Sequence, residues 1–375
     1  MNNGGAKVSW EDLACPKEEG GLGIPRLEDW NIALLGKQLW SLLQPSPSSS
    51  WAAWARANLL RGRSLWDIPI PATCSWSWRK ILQLRPLLRP HIKHIIGDGR
   101  STWLWLDNWL PFGPIQSLMG DRVIYDSGLS RNAKVCAIIH SNNWRWPVSN
   151  SPELLTLKAS IPPQFHPDDS KDDAVLWTLS PSGTYTSKSA WNLVRARFPQ
   201  VRWMQTVWFP ENIPRTAFIL WLAIRGRLNT QDRLHFPITH PFCLLCGNCL
   251  ETHDHIFFAC SASDSVWHSI QNYGGFSTPI LPWKDLIEWV ATNWRGNTLS
   301  VQIKKISLAA SVYHLWMERN NRLHSNSYKR TSEISCSITW MVREHLSSLR
   351  GVKNSPANRQ QRQIWNLPET IFLPK

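Results

Sequence analysis

Apolar positions in this chain recur mostly at helical spacing. Trp30, Ala33, Leu34, Leu39, Trp40 and Leu43 fall on one side of a helix that Asp29 can cap and that ends at Pro45-Ser46-Pro47. Trp51, Trp54 and Ala55 make one face of a second helix over 51–60, and residues 76–84 read as a third before Pro86 and Pro90 interrupt the pattern. Residues 187–197 form another, with Ser187 as cap and Ala190, Trp191 and Val194 inward. Pro214 suits the first turn of TAFILWLAIRGRL, which is apolar on three sides and is expected to be buried against the segment that follows. A short helix is expected over 231–236, another from 264, a long one over 304–322, and a last one over 331–349.

Strand signals are fewer. Residues 92–96 and 101–106 flank Gly97-Asp98-Gly99, and residues 174–179 and 184–187 flank Pro181-Ser182-Gly183. Each pair reads as a local hairpin. The expected fold is therefore mainly α with two short β-hairpins. Residues 108–172 are loop-rich. From Gly351 the chain is polar and basic with few apolar anchors, and it is expected to be disordered to about Gln363.

Composition adds that the chain is globular: 25 of its 375 residues are tryptophan, whereas disordered chains are poor in aromatics. No apolar run approaches the ~20 residues of a membrane span. The opening MNNGGAKVSWEDL lacks the apolar core of a secretory signal. Eight cysteines are too sparse for a disulfide scaffold at this length, so a reducing, intracellular compartment (nuclear or cytoplasmic) is expected rather than secretion.

The net charge of +14 is uneven. Residues 51–100 sum to +7 and residues 304–375 to +8, around a near-neutral remainder. Two basic blocks suggest a polyanion partner, most simply RNA or DNA read with little sequence specificity. Arg56, Arg61, Arg63, Arg79 and Lys80 interleave with Trp54, Trp66, Trp76 and Trp78, which gives cations for phosphates beside flat faces for unpaired bases. Most of the tryptophans are nevertheless expected in the core, because a chain of this size must bury its largest side chains. Arg319 and Arg322 are the corresponding candidates in the second block.

Four of the eight cysteines lie in residues 242–260, FCLLCGNCLETHDHIFFAC. Cys243, Cys246, His255 and Cys260 follow C-x2-C-x8-H-x4-C, three thiolates and an imidazole that complete a tetrahedral structural Zn²⁺ site with no open position. Gly247 lets the backbone turn tightly after the first pair. Cys249 can substitute for a neighbouring thiolate and His253 for His255. Catalytic signals are absent by comparison. Asp168, Asp169, Asp172 and Asp173 cluster, and Pro167-Asp168-Asp169-Ser170-Lys171 overlaps the two halves of a nuclease-like pattern that needs them apart. The cluster reads as a solvated loop before a strand. There is neither a P-loop nor a dinucleotide fingerprint.

The order of these pieces resembles the reverse-transcriptase zinc-binding region of plant LINE-type (non-LTR) retrotransposon proteins. Trp208-Phe209, IPRTAFILWLAIRGRLNTQDRL, CLLCG and ETHDHIFFAC carry the resemblance, and KVSWEDLACPKEEGGLGIPRLEDWNIALLGKQLW, CSWSWRKIL, GDGRSTWLWLDNWLP, SGTYTSKSAW and LWMERNNRLH extend it to about 340 residues. The resemblance implies a thumb-like helical remnant over 1–60, a basic Trp-rich connector over 61–170, a hairpin plus helix over 171–202, the zinc-binding domain over 203–275, helices over 276–350 and a basic tail over 351–375. Polymerases of this kind hold two Mg²⁺ ions on paired aspartates in a Tyr-x-Asp-Asp-like turn, and no such motif occurs here. The expectation is a truncated, non-catalytic, zinc-stabilised fragment that binds nucleic acid, with no ribonuclease H motifs. The alternative is a structural or protein-interaction module in which zinc only supports folding, a reading favoured by the slightly acidic zinc segment.

Overall fold

The computed structural model describes residues 8–47, 49–149, 151–162, 165–233 and 241–374. It is mainly helical with two small two-stranded sheets. The chain divides into two compact units, Pro25–Ala196 and the combination of Met1–Ile24 with Arg197–Lys375. The six segments expected from the sequence are thus gathered into two bodies, and the first of them is cut at residue 24. Among the described residues, no helix is long and apolar enough to cross a membrane.

In the Pro25–Ala196 unit, helix α1 (Leu27–Leu43) buries Ala33, Gly36, Leu39 and Leu42, a three-residue repeat that keeps one stripe inward. Gly36 is required: a Cβ there would meet the Tyr185 hydroxyl at 2.3 Å. That hydroxyl donates to the Ala33 carbonyl at 2.6 Å, so the glycine lets an aromatic dock directly on the helix backbone. Helix α2 (Trp76–Gln83) starts at Ser75, whose hydroxyl accepts from Trp78 N at 3.2 Å, and it buries Trp78, Ile81 and Leu82. Strands β1 (Ile92–Ile95), β2 (Ile139–His140), β3 (Asn143–Trp144) and β4 (Ala174–Trp177) follow. Helix α3 (Ser187–Val194) then packs on α1. Its cap is Thr186, one residue before the expected Ser187.

Neither expected hairpin forms as such. β1 pairs with β4, antiparallel, with Ile92 opposite Trp177 and Ile95 opposite Ala174. The local hairpin is instead β2–β3, with His140 opposite Asn143. The reason lies in Asp173, which the sequence placed in a solvated acidic loop and which the structure buries. Its carboxylate accepts from the N–H groups of Gly97, Gly99, Ser101 and Thr102 and from the Ser101 and Thr102 hydroxyls, all at 2.9–3.0 Å. The Gly97-Asp98-Gly99 turn is wrapped around a distant carboxylate rather than joining two strands. A Cβ on Gly97 would meet the Lys171 carbonyl at 2.1 Å, and Gly99 sits at φ 71°.

Burial alone would push the Asp173 carboxyl up, but the N–H groups of Gly97 and Gly99, with the Thr102 and Ser101 hydroxyls, outweigh it and hold the group below its ordinary value. A depressed folded-state value means that this stability is present above the unfolded carboxylate value near ~3.9 and is lost as pH falls through the lowered one. Asp173→Asn turns an acceptor-only group into one whose NH₂ faces donors. It should cost roughly 3 kcal/mol in denaturant unfolding at pH 7, with the difference from the parent shrinking below pH 4.

In the other unit, helix α4 (Pro214–Ile224) buries Thr216, Ala217, Leu220, Trp221, Leu222 and Ala223, as its three-sided apolar pattern requires. Helices α5 (Ser261–Gly274), α6 (Trp283–Asn293), α7 (Leu299–Ser325), α8 (Thr331–Ser347) and α9 (Pro356–Ile364) follow it. α7 packs on both α4 and α8, and α5 also packs on α8. Residues 8–24 belong to this body: Trp221 Nε1 donates to the Gly20 carbonyl at 2.8 Å, and Asp12 pairs with Arg225. The tail is not disordered. Ser355 caps α9, and beyond it Trp365, Leu367 and Ile371 enter the core. Three well-spaced anchors hold a segment whose average composition is polar. Of the helix expected over 231–236, Gln231–Arg233 form one 3₁₀ turn, and the remainder lies outside the described residues.

Candidate metal centre

The C-x2-C turn is built by the backbone. Gly247 N donates to the Cys243 carbonyl at 2.8 Å, with Gly247 at φ 74°, and Leu245 N points at Cys243 Sγ at 3.4 Å. Cys243 N donates to the Cys249 carbonyl at 2.6 Å, closing the loop below the pair. On the other side, residues His255–Ala259 make a tight turn in which Phe258 takes φ 72°. A non-glycine residue there is strained, and the strain is held by the Phe258 ring stacked on Trp267 at 4.9 Å. This turn sets His255 and Cys260 back towards the first pair.

The ligand atoms of Cys243, Cys246, His255 and Cys260 all lie within 4.8 Å of one another. Cys243 Sγ and Cys260 Sγ are 3.8 Å apart, and Cys246 Sγ and His255 Nε2 are 3.3 Å apart. Tetrahedral Zn–S bonds of ~2.3 Å and Zn–N bonds of ~2.0 Å place ligand atoms roughly 3.5–3.8 Å from each other, so these separations fit such an ion. Cys243 and Cys260 are buried, while Cys246 and His255 are half-buried. The Cys260 thiol is drawn down by its contact with Cys243. The N–H groups of Ser263 and Ala262, at the start of α5, act the same way and oppose the effect of burial.

The two alternative ligands are placed elsewhere. Cys249 is exposed and contributes its carbonyl, not its thiol. His253 is buried against Phe257 and Trp283, with ring centroids 5.2 and 6.3 Å away, and burial followed by the charge of Arg233 pushes it down to about 4.

The metal loop is gripped from behind by α7. Glu251 is fully buried, and its Oε1 accepts from Arg319 Nη2 at 2.6 Å and Nε at 2.9 Å. Oε1 also accepts from Gln231 N at 2.9 Å, and Oε2 accepts from Leu244 N at 3.4 Å. One turn along, Arg322 donates to the carbonyls of Leu244 (2.9 Å) and Leu245 (3.0 Å), the two residues inside the C-x2-C pair, and to Glu318 Oε1 at 2.8 Å. Arg319 and Arg322 are therefore corrected from nucleic-acid contacts to internal clamps. Two unsatisfied loop carbonyls and a buried carboxylate outcompete solvent for them. Glu251, the central acceptor, was missed in the sequence; its partner is 68 residues away.

Arg56 is corrected in the same way. Its guanidinium donates to the carbonyls of Leu42, Gln44 and Pro45, capping the C-terminal end of α1. Arg61, Arg63, Arg79 and Lys80 stay exposed. Arg61 Nε donates to the Asn58 carbonyl at 2.9 Å, Arg79 donates to the Ala72 carbonyl at 2.8 Å, and Lys80 Nζ lies 6.0 Å from the Trp76 ring. Of the interleaved tryptophans, Trp54 and Trp76 are exposed at 54% and 62%, Trp66 is half-buried and Trp78 is core.

The family model for "zinc-binding in reverse transcriptase" matches residues 185–267, a span that contains all four converging side chains. The chain is 26% identical over 363 residues to the Arabidopsis thaliana protein named "Putative ribonuclease H protein At1g65750", an alignment that covers 89% of this chain and 55% of that protein. It is 34% identical over 104 residues to the Arabidopsis thaliana "Uncharacterized mitochondrial protein AtMg00310", covering 28% of this chain and 67% of that one. A third, "Uncharacterized mitochondrial protein AtMg00120", is 31% identical over 93 residues, covering 24% of this chain and 64% of that protein. The chain thus spans about half the length of the first of these relatives. No solved structure matches it. Residues 185–267 of the chain are thus a reverse-transcriptase zinc-binding region.

Proposed function

We propose that this chain is a non-catalytic, zinc-stabilised, nucleic-acid-binding part of a plant LINE-type retrotransposon reverse transcriptase, acting inside the cell. The observation that carries the metal half is the closed set of four ligand atoms within 4.8 Å. Cys243, Cys246, His255 and Cys260 would hold Zn²⁺ with no coordination position left for water or substrate, so the ion supplies folding free energy rather than Lewis acidity. The nucleic-acid half is supported by the exposed cations Arg61, Arg63, Arg79 and Lys80 beside the exposed Trp54 and Trp76. Such an array suits an unpaired strand: cations track the phosphates and indole faces stack on bases. The second reading, a purely structural module, draws on the internal engagement of Arg319 and Arg322.

Filter binding of single-stranded RNA and DNA across a salt series tests the nucleic-acid half. Log affinity should fall linearly with log salt, with a slope of about −0.7 per phosphate contacted. Charge reversal at Arg61, Arg79 and Lys80 should flatten that slope by roughly two. Absence of binding to either strand at low salt would sink the reading and leave the structural module.

A further inference from the structure

Within the Pro25–Ala196 unit a cleft of about 360 Å³ opens between the end of α1, residues 62–65, His94, residues 100–103 and Lys134. Arg56, Arg63, Arg100 and Lys134 line it, with Asp107 as the one carboxylate. That acid is engaged internally: Oδ1 accepts from Trp66 Nε1 at 2.8 Å and Oδ2 from Trp103 N at 2.7 Å. Arg56 is engaged by the α1 carbonyls. Arg63, Arg100 and Lys134 therefore dominate the charge that the cleft offers to a ligand.

Lys134 is held in place by its neighbours. Its Nζ donates to the Ser101 carbonyl at 2.8 Å and lies 3.3 Å from the centroid of the Trp103 ring. An ammonium has three donors, so one remains for a ligand. Burial draws this amine down to about 8 against the opposing charges of Asp107 and Asp173, and an anion in the cleft would stabilise its charged form. His94 supplies an independent, unpartnered polar atom among the residues that line the cleft. It is 5% exposed, its Nε2 faces Asp107 at 3.6 Å, and its Nδ1 has no hydrogen-bond partner. Buried polar atoms are nearly always satisfied, and a proton on Nδ1 would let that atom donate to an anion. The loop carrying Arg100 and Ser101 is immobilised by the six hydrogen bonds to Asp173 described above. Arg100 itself lies 3.5 Å from Asp98 on the exposed rim.

We propose that this cleft binds a phosphate group of the nucleic-acid strand, with Lys134 and Arg63 as charge partners, His94 as the buried donor and Arg100 at the rim. The inference rests on the nucleic-acid reading above and says where on the chain a phosphate is seated.

Two measurements on the full chain test it: strand binding over a salt series, and ³¹P line broadening of inorganic phosphate. Lys134→Gln and Arg63→Gln should each weaken strand binding roughly tenfold or more and make the salt slope shallower by about one. Lys134→Gln should also remove the phosphate broadening. Arg63 is exposed, so its variant keeps the test valid if the Lys134 variant fails to fold. Unchanged affinity and slope in Arg63→Gln and Lys134→Gln, with binding lost on reversal of Arg61, Arg79 and Lys80, would overturn the cleft and leave the nucleic-acid reading standing. Phosphate broadening that depends on Lys134, without strand binding by the parent chain at low salt, would overturn the strand as the source of the phosphate.

Discussion

Cys260→Ser, or prolonged chelation of the parent chain, should unfold the segment between the first cysteine pair and α5. Amide exchange is the sensitive readout. The N–H groups of Leu245 and Gly247, which now point at Cys243 Sγ and its carbonyl, should lose their protection. The expected loss is large because structural zinc contributes on the order of 10 kcal/mol to loops of this kind, comparable with the whole net stability of a domain. Phe258 adds to it: a residue at φ 72° persists only while its surroundings enforce the turn. Protection that survives metal removal would show that packing alone, through Phe257, Trp267 and Trp283, holds the turn.

Glu251→Gln and Arg319→Met should each destabilise the chain by roughly 3–5 kcal/mol in denaturant unfolding, because each leaves the other partner buried without its counter-charge. The Glu251→Leu/Arg319→Met double variant should recover much of that loss, since replacing both members of a buried pair by apolar groups is often close to neutral. Recovery should be incomplete, because Gln231 N and Leu244 N also donate to Glu251 and would be stranded. A single variant that costs less than about 1 kcal/mol would mean that α7 does not hold the metal loop through this pair.

What was legible in the sequence is what depends on neighbours along the chain. The C-x2-C-x8-H-x4-C spacing, the Gly247 turn and the three-sided apolar pattern of α4 are local, and the structure realises each of them. Pairings across long separations were not legible. β1 finds β4 about eighty residues on, because Asp173 draws the 97–102 turn around itself, and a turn signal such as Gly97-Asp98-Gly99 cannot say which carboxylate it will wrap. The same limit misassigned Arg319, Arg322 and Arg56. A basic residue on an amphipathic helix looks like a surface cation until its acceptor is known: Glu251 for Arg319, the metal-loop carbonyls for Arg322, and the carbonyls at the end of α1 for Arg56. The tail was misread for a different reason. Averaged composition hides Trp365, Leu367 and Ile371, three side chains that suffice to anchor a polar segment.

On the proposed reading, Cys243, Cys246, His255 and Cys260 hold one zinc ion that folds this region. Metal content of the purified chain by atomic absorption tests it most directly. One zinc per chain is expected in the parent and in Cys249→Ser, and zinc should be lost in Cys243→Ser and Cys260→Ser. Zinc retained in Cys243→Ser or Cys260→Ser, or lost in Cys249→Ser, would contradict it.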